Sequence, residues 1–151
     1  MPQSISCVVL HIVFSTKHRF PFLTDREIRK EMHAYIGGIC KQLNCPPIII
    51  GGIGDHVHIL CRLSRTITIA DLLEEVKKSS SKWVKDRGGL LTGFAWQRGY
   101  AAFSVDYRSA DTVREYVANQ EAHHQKRRFQ DEFRKLMADG GVAFDEKYVW
   151  D

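Results

Sequence analysis

Gly54-Asp55-His56-Val57-His58-Ile59-Leu60-Cys61-Arg62-Leu63 is the stretch that decides how this chain is read. Gly51, Gly52 and Gly54 crowd its start, and Gly54-Asp55 between two apolar runs is a strong hairpin signal. Ile48-Ile49-Ile50 is then one strand of the hairpin and His56 to Leu63 the other. Side chains alternate along a strand with period two, so His56 and His58 leave one face of a rigid segment. Two imidazoles so placed form a bidentate grip on a divalent metal. Two hydrogen-bonded histidines on a half-buried strand fit the same spacing.

The residues upstream supply a strand and a helix. Ile5 to Phe14 is rich in β-branched residues, as suits a strand covered on both faces. It is too short to span a membrane, is interrupted by His11 and lacks a signal peptide's basic start. Thr24-Asp25-Arg26-Glu27 reads as a capping box. Ile28, Met32, Tyr35, Ile36, Ile39 and Leu43 then share one helix face, with Pro46 and Pro47 as the stop.

Downstream the pattern repeats. Thr68 caps a helix striped by Ile69, Leu72, Leu73, Val76, Trp83 and Val84, and Gly88-Gly89 ends it. A fourth strand alternates from Tyr100 to Val105. The order βαββαβ is the ferredoxin-like α+β sandwich. A third helix runs from near Ser109 to about Gln125. Phe129, Phe133, Leu136 and Met137 mark a shorter fourth helix before a tail ending in Trp150. With no linker or repeat, residues 1–151 read as a single domain.

Composition sets broad limits. Hydrophobic residues make up 44% and charged residues 26% of the 151 positions, with net charge +4, which permits a polyanionic partner without requiring one. Cys7, Cys40, Cys45 and Cys61 form no CxxC pair and sit in apolar runs. They read as reduced, buried, small hydrophobes in a cytoplasmic protein.

The third helix carries Tyr116 and Gln120, four residues apart and so one turn apart on a shared face. Ala110, Val113 and Val117 form the apolar stripe beside them. A tyrosine phenol can act as a covalent nucleophile when a cation on the attacked phosphate offsets developing charge. The Gln120 carboxamide would add a third neutral ligand to His56 and His58. A core aromatic with a solvated glutamine fits this spacing equally. Three basic groups could hold nucleic acid: Lys17-His18-Arg19; Lys77, Lys78, Lys82 and Lys85; and Lys126-Arg127-Arg128, which directly follows the tyrosine helix. His123 and His124 receive no role from sequence, and Trp96 reads as ordinary packing.

Gly54-Asp55-His56-Val57-His58-Ile59-Leu60 followed by Tyr116-Val117-Ala118-Asn119-Gln120 resembles the single-tyrosine HUH transposases of small bacterial insertion sequences, from the first strand to about Phe133. The resemblance implies a DNA transposase acting on single-stranded DNA with hairpins at the element ends. It makes Tyr116 the nucleophile, giving a 5′-phosphotyrosine and a free 3′-hydroxyl, and His56, His58 and Gln120 the ligands of magnesium or manganese. It also implies a homodimer whose active sites are shared between subunits. With only two imidazoles and an amide, magnesium should bind weakly unless DNA phosphate helps hold it. Three other readings stand beside this one: a related HUH endonuclease with a plasmid-nicking or domesticated role, a non-catalytic nucleic-acid-binding module, and a small metallohydrolase acting through water.

Overall fold

A computed structural model describes residues 3–124, 128–146 and 149. Four strands, β1 (Val9–Ser15), β2 (Pro47–Ile53), β3 (His56–Arg62) and β4 (Ala101–Val105), form one antiparallel sheet in the order β2-β3-β1-β4. Together with α1 (Arg26–Gln42) and α2 (Ile69–Lys85) this is the ferredoxin-like α+β arrangement expected from the sequence. Three further helices follow β4: α3 (Ala110–Ala118), α4 (Gln120–His124) and α5 (Phe129–Asp139).

The central strand β1 is buried at all seven positions, as its apolar run predicts. Its two faces serve different layers. Leu10, Ile12 and Phe14, with Val57, Ile59 and Cys61 of β3, pack against Met32, Ile36 and Ile39 of α1 and Leu72, Leu73 and Val76 of α2. On the opposite face, Val13 and Ala101 pack against Phe129, Phe133 and Met137 of α5. Fully burying a side chain of this size contributes about 1.5–3 kcal/mol, so both layers hold the sheet.

Several local expectations need correction. The first strand starts at Val9 rather than Ile5, which is exposed. The cap of α1 is Asp25 and not Thr24: its carboxylate accepts from the backbone of Glu27 and Ile28, while the Thr24 hydroxyl donates to Pro21 O. That helix ends at Gln42, before the prolines, because Asn44 turns left-handed (φ 58°). The prolines act one step later, where Pro47 opens β2 with an irregular register against β3. Tyr35 leaves the core and stacks on Trp83 at the surface. Of the four cysteines, Cys40, Cys45 and Cys61 are buried and free, but Cys7 is exposed. No described helix is long and apolar enough to cross a membrane.

The expected third helix is two helices. Asn119 leaves helical geometry (φ −99°, ψ 23°), so α3 stops at Ala118 and α4 restarts at Gln120. The α3 segment docks on the edge strand β2 through a close approach at Gly51. A Cβ there would stand 2.6 Å from Val117 O and 2.9 Å from Val117 Cγ1. Gly51→Ala therefore has to push the tyrosine-bearing helix off the sheet. It is expected to cost about 1–3 kcal/mol, lowering the melting temperature by about 2–10 °C in a thermal melt followed by circular dichroism.

Candidate active site

Register places the histidines. β1 pairs with β3 so that Val13 lies opposite His58 and Ser15 opposite His56. His11, His56 and His58 all project from the sheet face that α3, α4 and α5 cover, and all three are buried. His56 lies under Phe129, its ring stacked at 4.4 Å between centroids, and beside His124 at 4.5 Å. Both imidazoles of the histidine–hydrophobic–histidine motif are thus cut off from solvent by the C-terminal helices.

The ring nitrogens are oriented by partners behind them. His56 Nδ1 lies 2.7 Å from Asp55 Oδ1, and a carboxylate can only accept, so Nδ1 carries the proton. The Nε2 of a neutral His56 then presents a lone pair. It faces Gln120 Oε1 at 2.9 Å, while Gln120 Nε2 turns back to Tyr116 O at 3.4 Å. His58 Nδ1 meets His11 Nε2 at 2.8 Å, and their rings stack. With the proton on His58 Nδ1, His11 accepts it and frees His58 Nε2 in the same direction.

Three atoms from the C-terminal helices complete the cluster. Glu132 Oε1 of α5 lies 2.7 Å from His58 Nε2, and Glu132 Oε2 contacts His124 Nε2. His124 Nε2 is also 3.1 Å from Gln120 Oε1. Bonds of about 2.1 Å from a cation to imidazole or carboxyl ligands set neighbouring ligand atoms about 3 Å apart. One ligand atom each from His56, His58 and Glu132 all lie within 4.8 Å of one another. In the tautomer with the proton on Nδ1 alone, His56 Nε2 and Gln120 Oε1 would be two acceptors spaced as a bridging cation would space them. The donor set therefore fits a divalent metal.

Burial sets the protonation of the cluster. It pushes His58 down to about 4, against the smaller opposing effect of Glu132, and pushes His11 down to about 3. Burial would raise the Glu132 carboxyl, but hydrogen bonds from His124 and His58 outweigh it and hold the group well below the usual carboxylate range. Glu132 is thus a carboxylate beside the neutral imidazoles of His11 and His58, and a deprotonated ligand is what a metal needs.

Tyr116 reaches the cluster from α3. Its ring stands edge-on to His58 at 5.7 Å, to His11 at 6.1 Å and to His123 at 5.2 Å. A cavity of about 330 Å³ opens here, lined by His11, Tyr116, His123, Glu132 and Lys135 among others. A larger cleft of about 760 Å³ lies on the other side of α4, between Arg26, Lys30 and His33 of α1 and Gly51 and Gly52 of β2. The smaller cavity is the one lined by Tyr116 and Glu132, and Gln120 lines the larger cleft. Two of the cleft's cations, Arg26 and Arg29, are engaged by Glu121.

All four residues predicted from the two motifs, His56, His58, Tyr116 and Gln120, meet in one place. Sequence reasoning missed Glu132, His124, His11 and Asp55. Glu132 left a signal: it is an acid within the apolar stripe of Phe129, Phe133 and Met137, where a charge needs a buried partner. The basic groups fare unevenly. Lys17 and Arg19 follow β1 beside the turn that carries Asp55, with Thr16 N bonded to Asp55 O. Arg128 is the exposed cap of α5, and Lys126 and Arg127 lie outside the described residues. Lys77 is not a free surface charge, because its ammonium donates to the carbonyls of Gln97, Arg98 and Gly99 and burial lowers it to about 8. Trp96 is packing, as read, and its Nε1 donates to Ser80 Oγ.

Comparisons with known proteins point to one family and one fold. A family model described as "Transposase IS200 like" matches residues 4–120. Among solved structures, a protein of Deinococcus radiodurans R1 assigned as a transposase aligns with a TM-score of 0.62 at 19% identity, covering 80% of this chain and 95% of its own. A REP-associated tyrosine transposase bound to a REP hairpin aligns with a TM-score of 0.60 at 12% identity, covering 82% of this chain and 72% of its own. At these identities the structures share the fold. No curated protein matches the chain.

The buried imidazoles fix a pH dependence for the metal-free protein. His11 is lowered to about 3, and His33 and His58 to about 4, from 6.5. Between those values and 6.5 the unfolded chain binds more protons than the folded one, so stability falls as pH drops through that window. The stabilising contribution of the depressed Glu132 is lost in the same direction, below its ordinary 4.5. Thermal melts of metal-free protein at about pH 7.5 and about pH 5 should give a clearly lower melting temperature in acid. Equal values would mean that the imidazoles are charged in the fold.

Proposed function

This chain belongs to the IS200-like transposase family, and we propose that it cuts and rejoins single-stranded DNA through a covalent bond to Tyr116. The observation that carries this reading is the edge-on placement of Tyr116, at 5.7 Å between ring centroids, against His58 of the buried histidine pair. A nucleophile of ordinary reactivity is of use to DNA cleavage only where the attacked phosphate is held and its charge offset.

The geometry supports the following roles. His56, His58 and Gln120 would hold a divalent cation, magnesium or manganese, which would supply polarisation of the phosphate and offset the charge on its oxygens. Asp55 and His11 orient the two imidazoles from behind. Tyr116 Oη attacks phosphorus, and the new oxygen–phosphorus bond forms as the bond to the 3′-oxygen breaks. The phenolic proton passes to solvent and the departing 3′-oxygen takes one up, leaving a 5′-phosphotyrosine and a free 3′-hydroxyl. In the reverse step a 3′-hydroxyl attacks the phosphotyrosine, restoring a phosphodiester and the phenol.

The substrate class is single-stranded DNA with hairpins at the element ends, and support comes from the hairpin carried by the second structural relative. Lys17, Arg19 and Arg128 are exposed or half-buried around the site and suit phosphate contacts. Lys126 and Arg127 belong to the same basic run. The working form is a homodimer. Tyr116 stands beside the His58 of its own chain, which supports a site completed within each subunit rather than between the two.

Replacing Tyr116 by Phe removes the nucleophile and spares the ring contacts. Incubated with single-stranded hairpin DNA and manganese, the wild type should give a protein–DNA adduct that survives denaturing electrophoresis. Tyr116→Phe should give none while binding the DNA within about threefold of wild type. Undiminished cleavage by the variant would point to attack by water and end the tyrosine mechanism.

A further inference from the structure

The ligand set anticipated from the two motifs is neutral: two imidazoles and an amide. The structure adds two groups to it from outside the ferredoxin-like core. We propose that Glu132 of α5 and His124 of α4 bind the same divalent cation as His56, His58 and Gln120. The chain would then hold its metal before DNA arrives and prefer manganese or zinc to magnesium. This inference rests on the reading that the histidine pair is a metal site.

Glu132 carries the argument. It is 1% exposed in the middle of the apolar face formed by Phe129, Phe133 and Met137. An isolated carboxylate at such a depth is costly unless a cation or strong donors meet it. Its ion-pair partners among the described residues are all histidines, His58, His123 and His124, and no lysine or arginine reaches it. Each carboxylate oxygen lies against an imidazole nitrogen, Oε1 against His58 Nε2 at 2.7 Å and Oε2 against His124 Nε2. Lone pairs of His56, His58 and Glu132 converge on one point.

His124 belongs to the same point. Its Nε2 touches Glu132 Oε2 and lies 3.1 Å from Gln120 Oε1, which is itself 2.9 Å from His56 Nε2. A run of short contacts therefore links His56 through Gln120 and His124 to Glu132 and His58. Three imidazoles, one amide and one carboxylate form a mixed nitrogen and oxygen shell. Magnesium favours oxygen ligands and retains water, whereas manganese and zinc accept imidazole readily. The single negative charge of Glu132 also supplies what a DNA phosphate would otherwise have to provide.

The test is made on the full chain without DNA. Titration of metal-free protein with manganese, by calorimetry or by the electron spin resonance of free manganese, should show one ion per chain, bound more tightly than magnesium. Glu132→Gln should weaken manganese by at least tenfold, the size of loss that follows removal of a metal-site partner. His124→Asn should weaken it by a similar factor. X-ray absorption of the manganese-loaded wild type needs no variant and should count three imidazoles.

Unchanged manganese affinity in Glu132→Gln, with only a lower melting temperature, would make Glu132 a structural partner of the histidines and overturn the proposal. So would an absence of manganese binding until DNA is added, or an absorption spectrum with two imidazoles. Failure of the wild type to form a covalent adduct while still binding manganese would instead remove the proposed chemistry and leave this site standing.

Discussion

The rest of this structure depends on the need to satisfy a polar cluster sealed between a sheet and three helices. His11, His56, His58, Gln120 and Glu132 are all nearly solvent-free. None can turn to water, so each must find its partner within the protein or in a bound ion. The solution uses both ends of the chain. β1 gives His11, β3 gives the histidine pair, α4 gives Gln120 and His124, and α5 gives Glu132 and the Phe129 ring that covers His56. Loss of any one layer would expose or orphan the others, which ties the docking of the C-terminal helices to the chemistry of the strand.

The two halves of the site differ in how they are held. The histidines sit in the central pair of strands, where backbone pairing and a fixed register leave little freedom. The phenol and the carboxamide sit on a helix pair broken at Asn119. A straight helix would have kept Tyr116 and Gln120 on one face. The break lets α3 pack against Gly51 of β2 while α4 turns Gln120 and His124 toward the ring nitrogens. A rigid histidine-bearing strand thus faces Tyr116 on an element whose position is set by one tight contact.

Legibility in the sequence followed the range of the interactions involved. Strand alternation and helix periodicity are local, so β3, α2, β4 and the common face of His56 and His58 could be read directly. The two motifs singled out Tyr116 and Gln120 as well, though the single helix face expected for them is broken at Asn119. His11 could not be read, since its role depends on the pairing of β1 with β3 across nearly fifty residues of chain. Glu132 lay further off still, on a helix whose docking is a matter of tertiary packing. Its position in an apolar stripe was a legible anomaly, but the partner that explains it was not. The helix break at Asn119 and the early end of α1 at Asn44 turned on backbone angles that asparagine tolerates without advertising them.

Enclosure has a mechanistic consequence. A cation held only by the strand and Gln120 would be open to solvent on the side from which a phosphate approaches. With α5 docked, that side carries Glu132 and Phe129, and the cavity beside Tyr116 reaches Glu132. Charge argues in the same direction. In the proposed site Glu132 would attract the cation but repel a phosphodiester, favouring a DNA approach where the phenol stands rather than over the carboxylate. The buried acid would then also restrict the direction of attack, leaving the phosphorus reachable from the tyrosine helix.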